Sequence, residues 1–315
     1  MVDLVLAGDL GGTNLRIAAV DAAGRISHRA EAQTPRHPNA AKIVESVAGL
    51  ALECRAAIGS DKCVRGFALA IPAIIQSIEN RIFSSPNLPE LNGFDLSAEL
   101  AAKLGLKVTL ENDATAAAIG EHWLGASSGF DSSICVTLGT GVGGGIILNG
   151  EPVRGPDGTA GEVGHICVEP LGVPCGCGSV GCLEQYSSAR AITRIANELM
   201  AEFPDSELNK VREFDSLTVY RLGVSGDPLS IEVFRRAGRY LGIALSGLIN
   251  VLNPEVIVIG GGAAEGWDLF IGHVRAEIGK RAFRQPAERA RIVRAALGGD
   301  AGIIGAARLA FGKVA

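Results

Sequence analysis

The 42 glycines of this chain are not spread evenly; they gather where apolar, strand-like runs stop. Glycine at such a point lets the backbone turn sharply and lets its N–H groups converge with no Cβ in the way. Residues 4–7 run into Gly8-Asp9-Leu10-Gly11-Gly12-Thr13-Asn14, after which residues 15–20 resume strand character and Asp21-Ala22-Ala23-Gly24 turns. The pattern returns where residues 134–138 lead into Gly139-Thr140-Gly141-Val142-Gly143-Gly144-Gly145, then residues 146–148 and the hairpin pair Asn149-Gly150. A third strand, residues 256–259, enters Gly260-Gly261-Gly262 and a helix over about 266–281. The two near-duplicate settings predict an internal structural duplication.

Helical periodicity marks residues 40–58, 96–104, 114–124, 189–202, 229–252 and 302–311. Strands alternating with helices predict an α/β fold with mainly parallel connections. At 315 residues the chain has room for two domains. The expected division is a smaller N-terminal α/β domain of residues 1–115 with about 298–315 returning to it, and a larger C-terminal α/β domain of 116–297. A net charge of -5, with no cluster of Lys and Arg, argues against nucleic acid and anionic membranes as partners. Met1-Val2-Asp3-Leu4 lacks the regions of a signal peptide, and the longest uncharged stretch, 240–254, is broken by Asn250, Asn253 and Pro254. A soluble, cytoplasmic protein is expected.

Glycine loops after strands hold phosphates in many proteins, and three of them make simple turns a weaker explanation. No G-x-x-x-x-G-K-[ST] is present, and Gly139-x-Gly141-x-x-Gly144 leads into a strand rather than the helix a dinucleotide fingerprint must open. Two glycine hairpins, with Thr13 and Thr140, suit a polyphosphate, and Asp9 suits magnesium held directly or through water. The competing role for Asp9 is to accept amides of its own turn. Residues 107–111 alternate like a strand, and Asn112 is placed to cap the next helix, putting Asp113 in its first turn. There the helix dipole keeps a carboxylate ionised, fit to take a proton from an attacking alcohol; helix stabilisation alone is the alternative.

His165, Cys175, Cys177 and Cys182 form H-x9-C-x-C-x4-C, with Gly176, Gly178 and Gly181 supplying turns. Three sulfurs and one imidazole suit a closed tetrahedral zinc site, structural because no position stays open. Free thiols or a disulfide are the competing readings. Cys54, Cys63, Cys135 and Cys167 read as ordinary buried thiols. Glu162 and Glu184 flank the cluster and either support its ligands or, with His165, bind a polyol.

Together these residues resemble the ROK family of sugar kinases and sugar-responsive repressors, within the hexokinase and actin-like ATPase fold. The similarity rests on Asp9-Leu10-Gly11-Gly12-Thr13-Asn14, Pro86-Asn87-Leu88, Glu111-Asn112-Asp113-Ala114, the loop 138–145, Gly161-Glu162-Val163-Gly164-His165 and the cysteine loop through Leu183-Glu184. The resemblance implies a duplicated, ribonuclease H-like fold with two domains flanking a cleft. It implies that Gly11, Gly12, Thr13, Thr140 and Gly141 face the ATP phosphates with Asp9, and that Gly260 and Gly261 lie against the adenosine. It makes Asp113 the catalytic base; Asn87, Asn112, Asp113, Glu162, His165 and Glu184 the hexose ligands; and His165, Cys175, Cys177 and Cys182 the zinc ligands. Relatives usually carry Pro-Gly where this chain has Pro72-Ala73, and often an aromatic where Leu91 stands; both departures are expected near the sugar-side wall. The first glycine motif begins at residue 9, so a repressor's helix-turn-helix is not expected ahead of it. The expected activity is an ATP- and Mg2+-dependent hexose kinase acting on the 6-hydroxyl, glucose first, with a homodimer as the assembly. An N-acetylglucosamine or N-acetylmannosamine kinase, a fructokinase, and a non-catalytic sugar-binding regulator are the alternatives.

Overall fold

The computed structural model describes residues 3–35, 39–59, 63–76 and 78–312. The chain forms two compact units, one of Met1–Phe130, Gly145–Gly161 and Ala296–Ala315, the other of Asp131–Gly144 and Glu162–Ala295.

In the first unit, strands β1 (Asp3–Leu10), β2 (Asn14–Asp21), β3 (Ile26–Gln33) and β4 (Cys63–Ile71) are followed by a small hairpin, β5 (Ile74–Gln76) and β6 (Arg81–Ser84), and then by β7 (Val108–Asn112). The main sheet has the order β3-β2-β1-β4-β7. The β1–β2 and β2–β3 pairs are antiparallel, and β1–β4 and β4–β7 are parallel. Because strand side chains alternate, β1 sends Leu4, Leu6 and Leu10 to one face and Val5 and Ala7 to the other. The first face is covered by α1 (Ala40–Ala57) through Ile43, Val47 and Cys54 and by α2 (Leu96–Leu104) through Leu96 and Leu100. The second meets α3 (Asp113–Leu124) and the last helix, α10 (Ala301–Phe311), through Ala116, Ile303 and Ala307. These two helices touch at backbone distance: a Cβ on Gly305 would lie 1.7 Å from the Ala116 carbonyl oxygen. That contact fixes α3, including residues 116–124, in this unit. The return segment is fastened as well, because the buried Glu121 carboxylate accepts the Ala296 and Leu297 amides at 3.1 and 2.8 Å.

The second sheet has the order β10-β9-β8-β11-β12, from β8 (Ser133–Leu138), β9 (Val142–Leu148), β10 (Glu151–Pro152), β11 (Val256–Gly260) and β12 (Arg291–Arg294). Position for position this repeats the first sheet, including the parallel β8–β11 and β11–β12 pairs. The remaining helices are α4 (Glu184–Ser187), α5 (Ala189–Leu199), α6 (Ser216–Val224), α7 (Pro228–Leu252), α8 (Trp267–Arg281) and α9 (Arg284–Arg289). The long α7 starts where Asp227 caps Ser230 N–H with proline in the first turn, and it buries Val233, Phe234, Leu241 and Leu245.

Two glycine runs differ from expectation. Gly8 and Asp9 lie within β1, and Gly143 to Gly145 lie within β9, so the loops shrink to Gly11–Thr13 and Gly139–Gly141. The reason is packing: a Cβ at Gly145 would lie 2.5 Å from that of Ala118, so this glycine lets a strand approach α3 rather than turn. No helix among the described residues is long and apolar enough to cross a membrane.

Candidate active site and metal centre

In the first unit β7 hands directly to α3. Asn112 caps the helix, its Oδ1 accepting Thr115 N–H at 3.0 Å while its Nδ2 donates to the Ala73 carbonyl at 3.2 Å. Asp113 is the first helical residue, and its Oδ1 accepts the Ala114 amide at 2.8 Å. This orients the carboxylate at the positive end of the helix, where its ionised form is favoured. One residue earlier, buried Glu111 receives Arg154 Nε at 2.8 Å and the Asn112 amide at 3.1 Å. Asn87 is exposed in the turn after β6. That turn is pinned by Ser85, whose hydroxyl donates to the Pro72 carbonyl and accepts Leu88 N–H.

Asp9 does not accept amides of its own turn. It sits opposite Arg16 across the β1–β2 hairpin and pairs with that guanidinium. Gly11 N–H closes the hairpin on the Asn14 carbonyl at 2.8 Å, Thr34 Oγ1 holds the Gly11 carbonyl at 2.7 Å, and Gly12 and Thr13 are exposed at the tip. The side chains of Ala73 and Leu91, expected near a sugar-side wall, are buried in the core cluster that α1 and α2 also join. Ala73 touches the site through its backbone, as the carbonyl that holds Asn112.

In the second unit the loop Gly139–Gly141 leaves Thr140 exposed. Ala189 N–H, at the start of α5, donates to the Gly139 carbonyl at 2.9 Å, and Gly261 lies against the Leu138 carbonyl. The second and third glycine loops are thus neighbours. Glu184 reaches the same loop: its Oε2 accepts Val142 N–H at 3.0 Å, and a Cβ on Gly141 would lie 2.3 Å from that oxygen. Position 141 has no space for a side chain while Glu184 holds this pose. Burial raises the Glu162 pKa above the ordinary carboxylate value, with Glu184 adding to the rise and His165 opposing it.

His165, Cys175, Cys177 and Cys182 bring their ligand atoms within 4.8 Å of one another. Cys177 Sγ and Cys182 Sγ are 3.7 Å apart, as are Cys175 Sγ and His165 Nδ1. Zinc with sulfurs at about 2.3 Å in a tetrahedron sets those sulfurs about 3.8 Å apart, so the donor set fits zinc in both chemistry and spacing. His165 turns its other nitrogen, Nε2, towards Glu162 at 3.9 Å, and Gln185 Nε2 donates to Cys175 Sγ at 3.7 Å. Burial and the Cys177 and Cys175 sulfurs push the Cys182 thiol up to about 12, whereas the Ser179 amide lowers that of Cys177. A cation among the sulfurs removes the cost of crowding them as thiolates.

Arg16, Arg154, Gln185 and the Ala73 carbonyl join the site only in the folded structure. Arg16 had a legible signal, since it and Asp9 are equidistant from the hairpin turn. Arg154 had none, because its partner is 43 residues away.

A doubled sheet of this order, with glycine loops after its first strands, defines the class of actin-like ATPases. Within that class the chain belongs to the ROK family, whose family model matches residues 5–313. It is 37% identical over 305 residues to a glucokinase of Halalkalibacterium halodurans, covering 94% of this chain and 92% of that protein. A ROK family glucokinase from Streptomyces griseus, solved in complex with glucose and AMPPNP, superposes with a TM-score of 0.83 at 32% identity, covering 98% of this chain and 100% of that one. A ROK family transcriptional regulator, a homologue of the E. coli MLC protein, reaches a TM-score of 0.90 at 27% identity, covering 98% of this chain and 77% of that one.

Proposed function

We propose that this protein is an ATP-dependent glucokinase that transfers the γ-phosphoryl group of ATP to the 6-hydroxyl of glucose. The observation that carries the reading is Asp113, a carboxylate oriented at a capped helix start in a chain similar over its whole length to glucokinases. Asp113 accepts the proton of the 6-hydroxyl as its oxygen attacks phosphorus. Asn87, Asn112, Glu162, His165 and Glu184 hold the other hydroxyls. Gly11, Gly12, Thr13, Thr140 and Gly141 present backbone and hydroxyl donors to the phosphates, and Gly260 and Gly261 leave room for the adenosine. Asp9 would hold the magnesium that accompanies ATP, directly or through water, and that ion would supply positive charge to the transferring group. His165, Cys175, Cys177 and Cys182 hold a structural zinc. A homodimer in the cytoplasm is the proposed setting.

A coupled ADP-release assay with magnesium-ATP tests this against glucose, mannose, fructose, N-acetylglucosamine and N-acetylmannosamine. Glucose is expected to give the highest kcat/KM; a preference for an N-acetylhexosamine would replace glucose and leave the kinase standing. Asp113→Ala is expected to lower kcat about 10²–10⁴-fold with an unchanged circular dichroism spectrum. A folded Asp113→Ala protein with normal turnover refutes the assignment. The likeness to a regulator sets the second reading: a sugar-binding regulator would be stabilised against heat by sugar and indifferent to magnesium-ATP.

A further inference from the structure

The sequence predicts an ordinary buried thiol at Cys167, and the structure places it otherwise. It is exposed, and its backbone pairs with that of Cys182 in an isolated antiparallel bridge. The hydrogen bonds of that bridge run from Val168 N–H to the Gly181 carbonyl at 2.8 Å and from Leu183 N–H to the Ile166 carbonyl at 2.9 Å. They flank the two cysteines on either side, which makes Cys167 and Cys182 the closer kind of antiparallel pair. In such a pair the Cα atoms lie about 4.5 Å apart and both side chains leave the same face of the ladder. A disulfide needs roughly 4.4–6.8 Å between Cα atoms, so the backbone meets that requirement with no rearrangement of the strands. Cys182 is fully buried and directed into the ligand cluster, whereas Cys167 stands outside that set and faces solvent.

We infer that Cys167 and Cys182 form a disulfide when the protein meets a hydroperoxide, and that this bond removes Cys182 from the metal-ligand set. In the first step the Cys167 sulfur attacks the peroxide: an S–O bond forms, the O–O bond breaks, and hydroxide or alkoxide leaves. In the second the Cys182 sulfur attacks the resulting sulfenic acid: the S–S bond forms, the S–O bond breaks, and the departing hydroxide takes up a proton as water. Two thiols are oxidised by two electrons while the peroxide is reduced by two. The cluster keeps Cys175, Cys177 and His165, one sulfur short of a closed tetrahedral site. A small thiol reverses the bond by exchange at the exposed Cys167 sulfur.

The disulfide rests on strand geometry, and only the release of metal rests on the zinc reading above. The full chain, purified with its zinc, is treated with hydrogen peroxide while a chromogenic chelator follows free zinc and mass spectrometry maps linked peptides. The expected result is a peptide joining 167 to 182, release of roughly one zinc per chain, and reversal by dithiothreitol. Cys167→Ser, which alters an exposed side chain, should retain its zinc and release it several-fold more slowly at the same peroxide dose. A link between Cys177 and Cys182, whose sulfurs are 3.7 Å apart, would overturn the inference. So would zinc release from Cys167→Ser at the unsubstituted protein's rate. A protein that carries no zinc yet forms the 167–182 link would support the disulfide and refute the zinc reading.

Discussion

Asp113 and Glu184 are each tied to a backbone amide, and the ties do different work. The Ala114 amide orients Asp113 within its own helix, whereas Val142 N–H joins Glu184 to a loop 42 residues earlier in the chain. Glu184 therefore shapes the glycine loop assigned to the nucleotide while being a proposed sugar ligand. A hydrogen bond to a charged group contributes about 1.5–3 kcal/mol, so Glu184→Ala should weaken binding of magnesium-AMPPNP about tenfold with no sugar present. Glu184→Gln keeps an acceptor oxygen for Val142 and should bind the nucleotide nearly normally. Calorimetry on both variants checks this, and equal losses would show that the loop needs the charge rather than the bond. Local residue signals were the most legible ones: the Asn112 cap and Asp113 in the first turn are set by spacing within a few residues, and Cys175, Cys177 and Cys182, three of the proposed zinc ligands, lie within one short loop. The Glu111–Arg154 pair was not, because only the folded chain brings its members together.

Elements were legible where burial is one-sided. Helices α1, α2 and α7 carry an apolar stripe and fall within a residue or so of expectation, as does α10, whose residues 303–307 are buried on all sides. Strand β4 was not read because residues 66–71 are uniformly buried and lack alternation, as a central strand covered on both faces must. The α3–α10 crossing gives a prediction at this scale. Alanine for glycine inside a helix ordinarily gains about 1 kcal/mol, but at position 305 its Cβ would meet the Ala116 carbonyl, and overpacking costs about 1–3 kcal/mol. Gly305→Ala should therefore lower the urea midpoint, and a rise would mean the helices separate freely. On α7, the Arg235 hydrogen bond, opposed by burial and helped by Arg236, holds Glu232 at about 2 against an ordinary 4.5. A depressed carboxylate pKa stabilises the fold above the unfolded value and loses that effect as pH falls through the folded one. The urea-midpoint deficit of Glu232→Gln should thus be full above pH 4.5 and vanish towards pH 2. Both arginines are more than a third exposed, so the deficit is about 1 kcal/mol or less.

At the scale of the whole molecule, the duplication seen in two glycine hairpins extends to two sheets of the same strand order. The division of the chain was harder to read, because a unit that takes back residues 145–161 and 296–315 is held together by long-range packing rather than by a linker. All four proposed zinc ligands lie in the second unit, as do the Glu184–Val142 and Ala189–Gly139 bonds that reach its glycine loop. Binding free energy at a structural metal is folding free energy for the segment that wraps it. Removing zinc with a strong chelator should therefore raise amide hydrogen exchange across residues 162–189 and, through those two bonds, across residues 139–142. The first sheet and α10 have a hydrophobic core of their own and should exchange as before. Exchange that rises equally in both units would mean that the metal supports the whole chain rather than one loop and its neighbour. Unchanged exchange everywhere, in protein shown to have lost its zinc, would mean that the loop holds its shape through its own ladder of backbone bonds.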